Sequence, residues 1–234
     1  MKWLPVLALG LSACASAERE APADGSPGAD GAPPADAVPI DAPPPQVTLS
    51  QNTSTTVTGG SFACSLNNIT LENSYYRVFA LADHGITGGF QVQMVTFGIQ
   101  TAAAGGTQIA QAAQVKLGRY MGSAGGTTLD LAQVMPISSA AIMIPNRGPS
   151  SIDVPITGTI PGGDLIVELV IPDGRAALNT FFVGTNAAGE SKPGYVRSPA
   201  CNVVAPTGMN ALGMQHSPPL PKADLIMTVR GLRL

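Results

Sequence analysis

Glycine and proline punctuate this chain so densely beyond residue 46 that its apolar residues are left in short runs, and short runs bounded by turn formers read as strands. With 27 Gly, 21 Pro and only 12% charged residues, the chain is poor in the Lys, Glu and Arg that long solvent-facing helices need. Segments with strand character lie at 47–49, 55–58, 75–79, 90–95, 114–120, 128–135, 152–156, 165–170, 180–183 and 223–229. Residues 90–95 begin by alternating apolar and polar side chains and 114–120 alternate again, which places one face in a core and the other in water. Residues 102–117 have enough alanine to pass for a helix. The Gly105-Gly106 break and the alternation after it make a strand following a loop the better reading. About ten strands with no helical spacer predict an all-β fold over residues 47–234, a single β-sandwich that is jelly-roll-like.

The N-terminal part is built differently. Lys2 gives a minimal positive start and residues 3–11 an apolar run, too short for a bilayer span of about 20 residues. The run ends in Leu11-Ser12-Ala13-Cys14, which resembles the lipobox of bacterial lipoproteins: an apolar residue, two small ones, then the cysteine that is acylated and becomes the new N-terminus. Residues 1–13 are therefore expected to be a lipoprotein signal peptide, and Cys14 the lipidated residue. Two or more acyl chains, palmitate among them, would anchor the chain stably in a lipid membrane. Ala15 and Ser16 follow with no Asp directly after Cys14, a pattern that implies sorting to the cell outer membrane. Residues 14–46 continue in Ala, Pro, Asp and Gly with almost nothing to bury, so a disordered linker is expected. Between residues 15 and 45 that linker would span roughly 30 Å as a coil and roughly 95 Å extended, enough to hold a domain clear of lipid.

Charge divides the chain in the same place. Residues 15–46 carry six acids against Arg19 alone, whereas residues 47–234 carry nine acids and ten bases. A nearly neutral domain has no clustered Lys and Arg to meet phosphates, so nucleic acid is excluded as a partner. With Cys14 taken by lipid, Cys64 and Cys201 remain, and in the oxidising compartment an exported chain reaches, an even pair reads as a disulfide. So long a closed loop is worth roughly 5 kcal/mol in the chain-entropy model and often less in practice. Two separate buried thiols are the alternative. His84 and His216 offer the cysteines no close ligand spacing for a metal. Asp164 and Asp173, at turns bordering one strand, are calcium candidates, although their spacing matches no compact calcium loop. No cofactor is expected.

Neither H-E-x-x-H nor G-x-S-x-G occurs. His84, between Asp83 and Gly85, fits a turn, and His216 lies in a Pro-rich loop, so both read as surface residues. Paired-carboxylate chemistry would have to be assembled from Glu72, Asp153, Asp164, Glu168 or Asp173, with no spacing to say which of them meet. No catalytic residue is assigned and the domain is not expected to be an enzyme. Four side chains are candidate ligand contacts: Glu72, Arg77, Asn186 and Tyr195. Glu72 and Arg77 flank an apolar strand five apart and so point to opposite faces if the strand is regular. Arg77 reads as a solvated edge residue or as a partly buried cation matched to a carboxylate such as Glu168. Asn186 is expected to satisfy turn amides and Tyr195 to pack with its hydroxyl at a rim. Sugar binding through these two is the sharper alternative, weakened because Trp3 is the only Trp and falls in the signal peptide.

Two stretches carry a family resemblance. Residues 47–52, the Cys64 segment and Glu72-Asn73-Ser74-Tyr75-Tyr76-Arg77-Val78-Phe79 run in the order of a β-sandwich module of bacterial secreted and surface proteins. Residues 181–196, leading into Ser198-Pro199-Ala200-Cys201, resemble that module's second signature, where it also places a Cys. The resemblance covers nearly all of residues 47–234 and departs after Cys201, where residues 214–219 replace a tighter run. It implies a non-catalytic accessory domain, of a kind appended to secreted hydrolases or carried alone on a tether, and it names no ligand. The function expected is a membrane-anchored binding or interaction module of the bacterial cell envelope, facing periplasm or surface. Its partners would be the membrane through Cys14 and an envelope polymer or exported protein. A structural lipoprotein of an envelope assembly and a hydrolase with an unrecognised site are the alternatives.

Overall fold

The alternation in the sequence becomes strands on which inward and outward side chains trade places, in a computed structural model that describes residues 45–215 and 222–234. The expectations for residues 1–44, the signal peptide, Cys14 and most of the linker among them, lie outside the described residues, as does His216. In chain order the strands are β1 (Gln46–Leu49), β2 (Ser65–Leu66), β3 (Ile69–Thr70), β4 (Asn73–Ala80), β5 (Phe90–Ala103), β6 (Ala110–Tyr120), β7 (Val134–Pro145) and β8 (Ser150–Ile160). They continue as β9 (Asp164–Ile171), β10 (Thr180–Val183), β11 (Thr185–Asn186), β12 (Tyr195–Ser198), β13 (Val203–Gly208), β14 (Asp224–Leu225) and β15 (Met227–Arg233). A short helix, α1 (Met209–Gln215), follows β13.

Two sheets carry the fold. One has the order β13-β12-β4-β9-β6-β7, and the other is built around the long β5, with β15 and then β10 along one edge, β8 along the opposite edge and β1 beyond β15. Each ladder in both is antiparallel. The inner faces share one core: Tyr75 and Phe79 of β4, Val115 and Leu117 of β6 and Val167 and Leu169 of β9 pack with Val95, Phe97 and Ile99 of β5 and Val229 of β15. The molecule is the all-β sandwich expected of its punctuation.

Where the sequence pattern misleads, a local cause is visible. The ladder of β5 slips between Val92 and Met94 against both neighbours, so Gln93 bulges out and the buried series shifts phase from Phe90 and Val92 to Val95, Phe97 and Ile99. Residues 128–135 are not a strand. Asp130 caps a 3-10 turn at Leu131–Gln133 through the Ala132 amide, and β7 begins only at Val134. Residues 55–58 are irregular and residues 223–229 break at Ile226 between β14 and β15. The stretch 102–117 is the end of β5, a loop and the start of β6, not a helix.

Cys64 and Cys201 are bonded, with Cα atoms 5.9 Å apart and a sequence separation of 137. Asn73, the first residue of β4, holds the Cys64 end by accepting from its amide at 2.9 Å and donating to its carbonyl at 3.1 Å. The single hydroxyl proton of Ser198 of β12 is shared between two acceptors, the Glu72 carbonyl at 2.6 Å and the Asn73 carboxamide oxygen at 2.9 Å. The crosslink thus fixes the junction of β4 and β12.

Candidate functional site

Strand β4 is buried on both faces, and consecutive residues, Tyr76 and Arg77, begin two different polar clusters. Arg77 lies in phase with Tyr75 and Phe79 and is wholly buried. Its Nη1 donates to the Gln51 carboxamide oxygen and to the Lys192 carbonyl, each at 2.9 Å. Its Nη2 donates to Glu190 Oε2 at 2.9 Å and to the Leu225 carbonyl. Asn210 of α1 donates to Glu190 Oε1 at 3.1 Å and to the fully buried Asp224 at 2.9 Å, and Lys222 pairs with the other Asp224 oxygen at 3.2 Å. Two cations therefore meet two carboxylates. Burial pulls the Arg77 guanidinium below its usual value against the opposing charges of Glu190 and Asp224. Burial also raises the Glu190 carboxyl despite Arg77 beside it. Arg77 is not a solvated edge residue but the buried cation matched to a carboxylate that the sequence allowed, and that carboxylate is Glu190 rather than Glu168. In the β4–β9 register Glu168 stands opposite Tyr76, on the other face of the sheet, while Arg77 stands opposite Val167.

The other residues singled out in the sequence are dispersed. Asn186 is buried; its Nδ2 donates to the carbonyls of Ser54 and Thr56, and its Oδ1 accepts from the Ala188 amide at 3.1 Å. Tyr195 is buried too, its hydroxyl accepting from the Gly125 amide at 3.2 Å and donating to the Gly126 carbonyl at 2.9 Å. Glu72 is at the surface and meets Arg197 at 3.4 Å. Asp164 begins β9 and Asp173 follows its end, so roughly 30 Å of extended chain separates two groups that would have to share an ion. Asp173 already holds Arg175, at 2.6 Å, and that contact draws its carboxyl below the usual range. Among the described residues no three His, Cys, Asp or Glu side chains gather as a metal would need. His84 ends a 3-10 turn closed by Gly85 at φ 66°, as its neighbours suggested, and its half-buried ring leans on Phe79. Burial lowers the His84 pKa.

The second cluster, on the outer face of the six-stranded sheet, was not legible as a unit in the sequence. Tyr195, Tyr76, Glu168 and Lys116 are direct cross-strand neighbours on β12, β4, β9 and β6, and so share that face. The Tyr76 hydroxyl donates to Glu168 Oε1 at 2.9 Å, and Lys116 meets Glu168 Oε2 at 3.2 Å. Burial and the Glu168 charge push the Tyr76 phenol far above its usual value, so it stays a donor. The segment between β6 and β7 folds over one end of this face. Gly125 at φ 95° turns the chain so that its amide reaches Tyr195, the Asp130 amide donates to the Tyr120 hydroxyl at 3.2 Å, and Leu129 packs with Tyr76, Val78 and Ile166. Where the segment ends, a cleft of about 350 Å³ remains. Leu131, Val134, Pro136 and Ile166 give it an apolar side, and Tyr76, Lys116, Glu168 and Arg197 a polar one. A mouth of this kind suits a small ligand that is apolar on one side and polar on the other. A smaller and more apolar hollow, about 250 Å³, lies against the disulfide beside Phe62, Val196 and Leu212.

Compared with protein-family models, with curated proteins and with solved structures, the chain gives no match.

Proposed function

We propose that this chain is an exported, lipid-anchored and non-catalytic binding module of the bacterial cell envelope, and that the outer-face cleft is its binding surface. The observation that carries the binding reading is the cleft: an apolar wall set against a hydrogen-bonded row of Tyr76, Glu168 and Lys116, open to solvent and far from saturated. Export is supported by the Cys64–Cys201 bond, since such crosslinks persist in oxidising compartments. Anchoring is supported by the lipobox-like Leu11-Ser12-Ala13-Cys14 and by the linker composition behind it. The ligand is an envelope polymer or an exported protein. The test is retention on the immobilised full chain of material from an envelope extract or culture medium, with Leu131→Asp in the cleft wall as the control. Retention by the natural chain, lost in the variant, is expected. No retention by the natural chain overturns the reading. A mass spectrum lacking acyl chains on Cys14 overturns the anchoring.

A further inference from the structure

We infer that the outer-face cleft takes a ligand carrying a single carboxylate beside an apolar group; this rests on the binding reading and names the chemistry of that same site. Its lining holds two cations, Lys116 and Arg197, against one carboxylate, Glu168. Glu72, the second partner of Arg197, contacts it at 3.4 Å and is half exposed outside the lining. Counting Glu72, the two carboxylates balance the two cations, so an incoming carboxylate would take the place of Glu168 or Glu72 at a cation rather than fill a standing excess of charge.

The donors point the same way. Lys116 spends one contact on Glu168 and has further N–H groups, being an ammonium. Arg197 gives Nε to the Val204 carbonyl and Nη1 to Glu72, and its Nη2 makes no bond among the described residues. Tyr76 is committed to Glu168 as a donor, so unspent hydrogen-bonding capacity on the polar side lies mainly on the two cations. Both ion pairs are partly exposed, and pairs of that kind contribute little, so an incoming carboxylate can displace them at small cost. Opposite stand Leu131, Val134, Pro136 and Ile166, which would cover the apolar part of the ligand.

The test uses benzoate as the carboxylate probe and benzamide as its neutral counterpart, titrated into the full chain and followed by the methyl resonances of Leu131, Val134 and Ile166. Benzoate is expected to saturate at millimolar levels and benzamide to bind at least about tenfold more weakly. Lys116→Gln and Arg197→Gln are each expected to weaken benzoate about tenfold through loss of a charge-assisted contact. Their unfolding midpoints should stay unchanged, which separates lost binding from lost folding. Equal binding of the two probes, benzoate binding unaltered in both variants, or no binding at the cleft overturns the inference. The variants also separate the two readings. If the natural chain retains envelope material and both variants retain it equally, the carboxylate assignment fails while the binding module stands. If the natural chain retains nothing, the module itself fails.

Discussion

Tyr76 and Arg77 are neighbours on one strand, yet the charged groups around them do opposite things. Arg77 faces the space between the sheets, where its terminal nitrogens are taken up by Gln51, Glu190, Lys192 and Leu225, and the guanidinium and Asp224 are closed to water while Lys222 at the edge is half exposed. Tyr76 faces outward into a cleft where Lys116 and Glu168 are partly exposed and keep capacity to spare. The chemical components are the same in both: a cation, a carboxylate and a hydrogen-bonding neighbour. Burial decides their roles. Inside, removing one member strands the others in a poor solvent for charge, so the cluster is structural. Outside, Tyr76 is itself buried but Lys116 and Glu168 reach water, which compensates much of what they lose when a contact breaks.

The sharpest way to break this contrast is Arg77→Met. The substitution keeps volume but leaves Glu190 and Asp224 buried with Lys222 alone, and it is expected to cost about 3–5 kcal/mol, read as a lower urea midpoint. A loss under about 1 kcal/mol would place Arg77 with ordinary surface charges. Next in size is removal of the crosslink that ties the start of β4 to the end of β12. Cys64→Ala with Cys201→Ala should cost about 2–5 kcal/mol. A third effect appears as a slope against pH. Because burial raises the Glu190 carboxyl in the folded state above its ordinary 4.5, its contribution is fully present below that value and is lost as pH rises through the raised one. Urea unfolding of the natural chain and of Glu190→Gln, measured from pH 4.5 upward, should show this falling component in the first and its absence in the second. Equal slopes would mean that Arg77 cancels the burial.

How much of this contrast could be read from the letters differs between its two halves. Strand parity put Glu72 and Arg77 on different faces and gave Gln114, Lys116 and Tyr120 one alternating pattern, because side-chain direction is a local property. The all-β fold was legible for the same reason: Gly and Pro end segments where they stand. Pairing between strands is not local. That Glu190, inside the second signature, reaches Arg77, or that Glu168 lies between Tyr76 and Lys116, depends on the order β12-β4-β9-β6, and strands far apart in sequence give no sign of it. Strand β7 was missed because its Ser138-Ser139-Ala140-Ala141 centre has little β-branching. Its place at the sheet edge, where small residues suffice, explains why it needs none. The cleft owes Leu131 of its wall to the 121–133 segment, whose anchoring by the Tyr120 and Tyr195 hydroxyls is tertiary and leaves no trace in spacing.

The smallest expected effects lie on the outer face, and they are informative because they are small. Tyr76→Phe removes one partly buried hydrogen bond to Glu168 and should cost about 0.5–1.5 kcal/mol. Lys116→Gln removes a pair whose lysine is 43% exposed, and its effect on unfolding should stay within about 0.5 kcal/mol. Taken together the two substitutions measure coupling through Glu168. If the row Tyr76–Glu168–Lys116 were a rigid structural element like the one inside, the double variant would depart strongly from the sum of its parts. If the row is an open surface held for exchange, losses should add to within about 0.5 kcal/mol, since each remaining Glu168 oxygen can turn to water. Additive losses here, beside the steep loss at Arg77 one residue along the same strand, would locate the boundary between scaffold and site in the thickness of a single β-sheet.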